Sequence, residues 1–257
     1  MSDTTVSSNV PAKIIELRVL RYRPASDREP VFVNYRVAYS DDMSVLQALQ
    51  SIKDTQDGSL SFRWSCRMAV CGSCGMMING EPKLACHAFL RDYRHAVIRV
   101  GPLEHFPIER DLVIVMDDFM DKLSSVQPYL ITQQKRQLSE GENLQTPLQL
   151  MAFKQYTLCI NCLLCNAACP QCGLNENFVG PAALALAHRY NLDSRDGGKD
   201  ERADVVASDN GIWECTFVGA CSEVCPKHVD PAAAIQQTKI SASLDWFKTW
   251  LRPGAYR

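Results

Sequence analysis

Long apolar runs are missing from this chain. No segment approaches the roughly 18–20 apolar residues that a membrane span requires, so any membrane contact has to come through partners. The opening stretch, "MSDTTVSSNVPAK", is polar and lacks the apolar centre of a secretory signal. Charge of one sign is missing too: 27 Lys and Arg against 29 Asp and Glu leave a formal net charge of −2. That balance gives no electrostatic reason to expect a nucleic-acid partner. No nucleophile–base pair or phosphate-cradling loop stands out, nor any low-complexity tract, nor an internal repeat apart from the cysteine runs. The expected setting is intracellular, where thiols stay reduced and clustered cysteines bind metal more often than they pair.

What the chain does have is cysteine. Twelve cysteines lie among 257 residues of 46% hydrophobic composition, a length that suits two domains with a substantial core. They form three groups, at 66–86, 159–172 and 215–225.

The first group sits in a strand-rich half. "VFVNYRVAY" places Val31, Val33, Tyr35, Val37 and Tyr39 on one face at period two, and "KIIELRVLRY" before it reads likewise, with "PASDRE" as the connection. "SVLQALQSIKD" changes period, aligning Val45, Leu46, Leu49 and Ile52 on a helical stripe. The Asn-Gly at 79–80 signals a hairpin. From residue 111 the pattern predicts helices: "DLVIVMDDFMDKL" carries Leu112, Val115, Met116, Phe119 and Leu123 at helical spacing. "QQKRQLSEGENLQ" reads as a loop, Pro181 and Pro231 stand just inside helix starts, and Pro253-Gly254 suits a helix end.

Cys66-x₄-Cys71-x₂-Cys74, with Cys86 further on, is the plant-type [2Fe–2S] spacing. The wrapping loop needs small residues near the cluster sulfides, and Gly72, Ser73 and Gly75 supply them. Arg63 and Arg67 add positive charge nearby, or are simply solvated. No Cys-x-His box supports a Rieske centre, so His87 is incidental. Zinc is the alternative, although zinc sites favour paired Cys-x₂-Cys hooks.

Cys159-x₂-Cys162-x₂-Cys165-x₃-Cys169-Pro170 matches the bacterial ferredoxin run, whose fourth cysteine ligates the other cluster. Cys159, Cys162 and Cys165 then share a [4Fe–4S] cluster with Cys225, while Cys169 joins Cys215 and Cys221. The ferredoxin spacing asks for a cysteine at 218, where the chain has Val218. A cube with one unligated corner tends to lose that iron, which gives [3Fe–4S]. The alternative is a [4Fe–4S] cluster with water or hydroxide on the open iron. Cys172 fits neither pattern and is expected to be an inert thiol.

Together "RWSCRMAVCGSCG", "CINCLLCNAACP" and "CTFVGACSEVCPKHVDP" resemble the iron–sulfur subunit of the succinate dehydrogenase/fumarate reductase (complex II) family. The resemblance implies an α+β, β-grasp, plant-type ferredoxin-like domain over 1–110 and an all-α ferredoxin-like domain over 111–257. It also implies electron relay to or from a flavoprotein subunit bearing FAD and the dicarboxylate site. By the same resemblance, one or two transmembrane anchors would hold the chain peripherally at the cytoplasmic face of the inner membrane, with a quinone beside the [3Fe–4S] cluster. Leu174 and Thr216 replace a tryptophan and a histidine of the mitochondrial ubiquinone-linked type, which favours the quinol:fumarate reductase branch and menaquinone. In that branch Gln236 and Lys239 approach the quinone, alongside Pro170 and Thr216. Other readings are a free-standing ferredoxin carrier, a zinc-stabilised structural protein, and the iron–sulfur subunit of a glycerol-3-phosphate or heterodisulfide-type reductase. The last would want a cysteine at 218.

Overall fold

The computed structural model describes residues 13–93, 97–132, 139 and 141–251. Most of the expected loop at 133–145 and the Pro253-Gly254 pair lie outside the described residues.

The first half is a mixed five-stranded sheet over one helix. Strands β1 (Ile14–Arg21), β2 (Val31–Ala38), β3 (Gly75–Ile78), β4 (Glu81–Leu84) and β5 (Ile98–Gly101) lie in the order β2-β1-β5-β3-β4. β1 and β5 are parallel and the other neighbours antiparallel. Helix α1 (Val45–Thr55) starts at a capping box: the Ser44 hydroxyl accepts from the Gln47 N–H at 3.3 Å, and Gln47 Oε1 accepts from the Ser44 N–H at 2.8 Å. Its buried face is Val45, Leu46, Ala48, Leu49 and Ile52, and Leu17, Val19, Ile98 and Val100 of the sheet share the same core. Each such side chain removed from water contributes about 1.5–3 kcal/mol. On β2 only Tyr35 and Val37 of the expected apolar face are fully buried; Val31 and Val33, in the first half of this edge strand, are exposed.

The expected helix over 111–123 is shorter than its periodicity implies. Residues Ile108–Arg110 (β6) and Val113–Ile114 (β7) pair as a small hairpin, and helix α2 begins only at Asp117, ending at Ser125. Asp111 is the physical reason. Its buried carboxylate accepts from Arg21 Nε at 3.0 Å and from the Tyr22 and Ser61 N–H groups at 2.9 Å each. Those donors hold it at φ 50°, a left-handed turn that a helix cannot pass through.

The second half is helical: α3 (Pro147–Lys154), α4 (Leu164–Ala167), α5 (Pro170–Leu174), α6 (Pro181–Asn191), α7 (Lys199–Val206), α8 (Ala220–Glu223) and α9 (Pro231–Trp250). Pro181 opens α6, whose Ala182, Ala183, Leu184, Ala185 and Ala187 are buried. Small residues here let α9 pack closely along α6. Arg202, fully buried, pairs with Asp196 at 2.7 Å and donates to the Gln127 and Tyr129 carbonyls, tying α7 to the strap after α2. One buried set runs through both halves, from Leu17 to Leu112, Leu164, Phe178 and Ile235. No helix among the described residues is long and apolar enough to cross a membrane.

Candidate iron–sulfur centres

The first cysteine loop is assembled by a hairpin. Asn79 (φ 52°) and Gly80 (φ 84°) make the tight β3–β4 turn that the Asn-Gly pair predicts. Cys74 immediately precedes β3 and Cys86 follows β4 by two residues, so closing the hairpin brings the distant fourth cysteine to the loop. The Ala85 N–H donates to the Cys74 carbonyl at 3.0 Å. Across the loop Arg67, Ala69 and Gly72 take left-handed φ values of 58°, 56° and 75°. Such a path aims successive N–H groups inward as an anion-binding nest. The N–H groups of Met68, Val70 and Cys71 donate to Cys66 Sγ at 3.3–3.4 Å, and that of Ala69 donates to Cys86 Sγ at 3.3 Å. The Ser73 hydroxyl, aided by backbone N–H groups, pulls the exposed Cys71 down to about 6. Burial pushes Cys74 up to about 12, with the neighbouring Cys86 thiol adding to it. Arg67 stacks on Trp64 at 4.4 Å, while Arg63 turns toward Met116 Sδ and the Ile114 carbonyl. His87 packs edge-on against Phe89.

The second and third loops are backbone twins. Asn161 and Leu163 lie at φ 50° and 67°; Phe217 and Gly219, the same two and four positions after their leading cysteines, lie at 61° and 86°. Each loop then enters a four-residue helix, α4 or α8, and reaches a Cys-Pro pair, Cys169-Pro170 or Cys225-Pro226. In this register Val218 stands where Cys162 stands. Val218 is 61% exposed, beside Phe217 at 60%, so the valine lies on the surface of the loop.

The structure brings the thiols together in two overlapping sets. Burial raises Cys159 and, to about 11, Cys162, and for both Cys225 is a charged neighbour. Burial likewise raises Cys221 to about 11, with Cys169 and Cys215 as its neighbours. Cys165 is enclosed and pushed well up, between Cys159, Cys162 and Cys225 on one side and Cys221 on the other. A hydrogen bond from Cys172 pulls Cys169 down to about 6. Thiols gathered this closely disfavour one another's ionisation, and positive iron would relieve that cost, because thiolate is the form that binds metal.

The three loops are also in series. A Cβ on Gly72 would lie 3.0 Å from Cys162 Cβ, and one on Gly75 would lie 3.0 Å from the Cys162 carbonyl oxygen. Both positions therefore crowd any side chain against the second loop, and the first loop rests directly on it.

Gln236 and Lys239 of α9 both reach the third loop: Gln236 Nε2 lies 4.0 Å from Cys215 Sγ, and Lys239 Nζ donates to the Cys215 carbonyl at 2.7 Å. Thr216 Oγ1 accepts from Gln171 Nε2 at 3.1 Å, and Pro170 is the exposed first residue of α5. Leu174 is exposed. Sequence reasoning missed several polar supports next to cysteines. Asn166 accepts from Cys165 Sγ at 3.6 Å, and Ser222, 4.0 Å from Cys221 Sγ, donates to Asp230 at 2.6 Å. Trp213, exposed, has the Lys239 ammonium 5.9 Å from its ring. A polar residue directly after a cysteine was the available signal for the first two.

Among the described residues no three His, Cys, Asp or Glu side chains converge tightly enough to hold a single ion. Thiolates around a cluster bind irons at separate corners and need not converge. The donor set is all sulfur, with backbone N–H groups aimed at it, and that chemistry fits iron–sulfur clusters.

This combination defines a class, a [2Fe–2S] module joined to a helical dicluster module. Residues 16–121 match the family model described as a 2Fe-2S iron-sulfur cluster binding domain, and 151–226 match the 4Fe-4S dicluster domain. The chain is 55% identical over 241 residues to the fumarate reductase iron-sulfur subunit of Escherichia coli O6:H1, covering 94% of this chain and 98% of that one. It is 51% identical over 250 residues to that of Haemophilus influenzae, at 93% and 97% coverage. The mitochondrial succinate dehydrogenase [ubiquinone] iron-sulfur subunit 2 of Oryza sativa is 37% identical, at 92% and 78% coverage. A chain of the Mycobacterium smegmatis Sdh1 complex in its apo form superposes with a TM-score of 0.81 at 26% identity, covering 91% and 98%. The chain belongs to the family of iron–sulfur subunits of fumarate reductase and succinate dehydrogenase.

Proposed function

We propose that this chain relays single electrons between a flavin on one partner, where fumarate and succinate interconvert, and a quinone at the membrane. The carrying observation is that the first loop, through Gly72, lies against Cys162 of the second, and the second interleaves with the third through Cys165 and Cys221. Bound clusters supply one-electron carriers whose potentials follow cluster type, net charge and hydrogen bonding. The chain's own residues do the rest.

Cys66, Cys71, Cys74 and Cys86 are assigned to [2Fe–2S]; Cys159, Cys162, Cys165 and Cys225 to [4Fe–4S]; Cys169, Cys215 and Cys221 to [3Fe–4S]. The hairpin, the inward N–H groups and the mutual proximity of each set support this assignment. Residues 1–110 are read as a β-grasp domain and 111–257 as the helical one; the β6–β7 hairpin crosses that junction.

Each end of the series has an exposed apolar rim. Trp64, Met68 and Val70 surround the first loop, which suits docking of the FAD-bearing flavoprotein. Trp213, Phe217 and Val218 are exposed at the third, and Ile240, Leu244 and Trp246 are exposed further along α9. That rim suits anchor subunits and a quinone near Gln236, Lys239, Thr216 and Pro170. The chain is then peripheral, at the cytoplasmic face of the inner membrane. Leu174 and Thr216, and higher identity to the Escherichia coli and Haemophilus influenzae fumarate reductase subunits than to the rice chain, favour the fumarate reductase type and menaquinone.

The test is stepwise reduction of the purified complex followed by EPR. The expected order is a [3Fe–4S] signal as isolated, then [2Fe–2S], then [4Fe–4S]. A native protein that purifies as a monomer without a flavoprotein overturns the proposal.

A further inference from the structure

The Lys239 ammonium is held from two sides at the third loop. Its Nζ donates to the Cys215 carbonyl at 2.7 Å, and the centroid of the Trp213 ring lies 5.9 Å from the same Nζ. That separation is within reach of a cation–π attraction. An ammonium carries three N–H donors at the end of a long, flexible stem. The carbonyl takes one of them and the indole lies against another side, so at least one N–H is left for an incoming acceptor.

The ring itself stands on a fixed support. Trp213 is the middle residue of a short 3₁₀ turn, Ile212–Glu214. Before it, Ile212 is fully buried, and a Cβ on Gly211 would run into the Val206 carbonyl at the end of α7. After it, the Cys215 N–H donates back to the Ile212 carbonyl at 3.3 Å. The backbone is thus fastened on both sides of Trp213, yet its side chain is 46% exposed. Packing of the interior does not account for a large ring left at the surface, whereas the cation beside it does.

We propose that Trp213 is a positioning residue for the quinone: its ring holds the Lys239 ammonium beside Cys215, with a free N–H ready for a quinone carbonyl oxygen. The inference rests on the reading that Lys239 approaches the quinone. A lysine side chain gives up much rotamer freedom when it is fixed in one geometry. If the ring fixes it before the quinone arrives, that cost is not charged to binding. Trp213 therefore acts through Lys239, and its effect falls on quinone affinity more than on the rate of electron transfer.

The experiment is titration of a short-chain naphthoquinone onto the oxidised, purified complex, with quinol-dependent turnover measured alongside. The proteins are wild type, Trp213→Leu, Trp213→Phe, Lys239→Met and the double variant Trp213→Leu/Lys239→Met. Trp213→Leu is expected to raise Kd roughly 2- to 5-fold, the weight of one exposed cation–π contact, with a smaller change in kcat. Trp213→Phe keeps a ring face and is expected to return toward wild type. In the Lys239→Met background Trp213→Leu is expected to change Kd no further, because the ring then has no ammonium to hold. Trp213→Met, which keeps bulk without a ring, replaces the leucine variant if that one loads no third-site cluster. An unmoved Kd in the ring-free variant, or the same rise with and without Lys239, overturns the role of Trp213 alone. A Kd that Lys239→Met leaves at the wild-type value overturns the reading of Lys239 beneath it as well.

Discussion

Residues 159–165 and 215–221 pass through the left-handed region at matching positions, enter equally short helices and end in Cys-Pro pairs. Their side chains differ where chemistry is decided. Cys162 has its counterpart in Val218, and Leu163 in Gly219. The twin paths teach that the course of the backbone does not depend on a cysteine at the fourth position of the loop. Phe217 keeps φ 61° although a bulky side chain gains nothing there, and Leu163 does the same at 67°. The loop can therefore carry a residue other than cysteine at 218 without losing its shape.

The largest way to break this comparison is Cys162→Val, which makes the second loop ligate like the third. Three thiolates would remain for the middle cluster, and the substituted side chain would face Gly72 at the seam. The [4Fe–4S] EPR signal should vanish and quinol-dependent turnover should fall to background. The reverse change, Val218→Cys, should add an iron per chain and remove the oxidised [3Fe–4S] signal. The new cluster should have a lower potential and slow quinone turnover, measured by iron analysis, redox titration and steady-state kinetics.

Glycine positions sharpen the contrast further. Gly72 combines φ 75° with contact against Cys162, whereas Gly219 has φ 86° and open space where a Cβ would be. Gly219→Ala should cost about 1–2 kcal/mol, the left-handed penalty alone. Gly72→Ala should cost more, because the second loop must also move, and its melting temperature in the purified complex should be the lower of the two.

The smallest effect concerns the scaffold under both loops. His188 on α6 is buried between Tyr156, edge-on at 5.0 Å, and α9, with its ring nitrogens 2.9 Å from Thr238 Oγ1 and 3.1 Å from Gln237 Oε1. Burial holds its pKa below the usual 6.5 despite the Gln237 contact. The folded chain therefore binds fewer protons at this site than the unfolded one. Its stabilising contribution is full above pH 6.5 and is lost as pH falls from there through the folded pKa. Melting temperatures of wild type and His188→Gln should run parallel above pH 6.5, with wild type falling more steeply below it.

Much of the site was legible because cluster ligation is a matter of local spacing. The Cys66-x₄-Cys71-x₂-Cys74 loop and the 159–169 run state their chemistry in a few residues each, and the Asn-Gly turn foretold the hairpin that delivers Cys86. The helix at 45–55 was readable from its apolar stripe, with Ser44 and Gln47 as its cap. Long-range polar contacts were not readable. Nothing local to "DLVIV" reveals that Asp111 is fastened by Arg21 and by the N–H groups of Tyr22 and Ser61, and so the helix there starts late. Strand β5 and helices α3 and α7 also went unread, their patterns being short or mixed.

By itself the sequence determined which cysteines are the candidate ligands and in what order they come, because cysteine spacing within a loop limits what metal centre the loop can wrap. It also determined that position 218 offers no ligand. Only the tertiary structure decided how the loops meet. Gly72 and Gly75 let the first loop settle on Cys162, α9 brings Gln236 and Lys239 to Cys215, and the turn at 169–172 brings Cys172 back beside Cys169. These are contacts between segments far apart in the chain or set by a turn's exact closure, and they follow from packing, which spacing along a sequence does not encode.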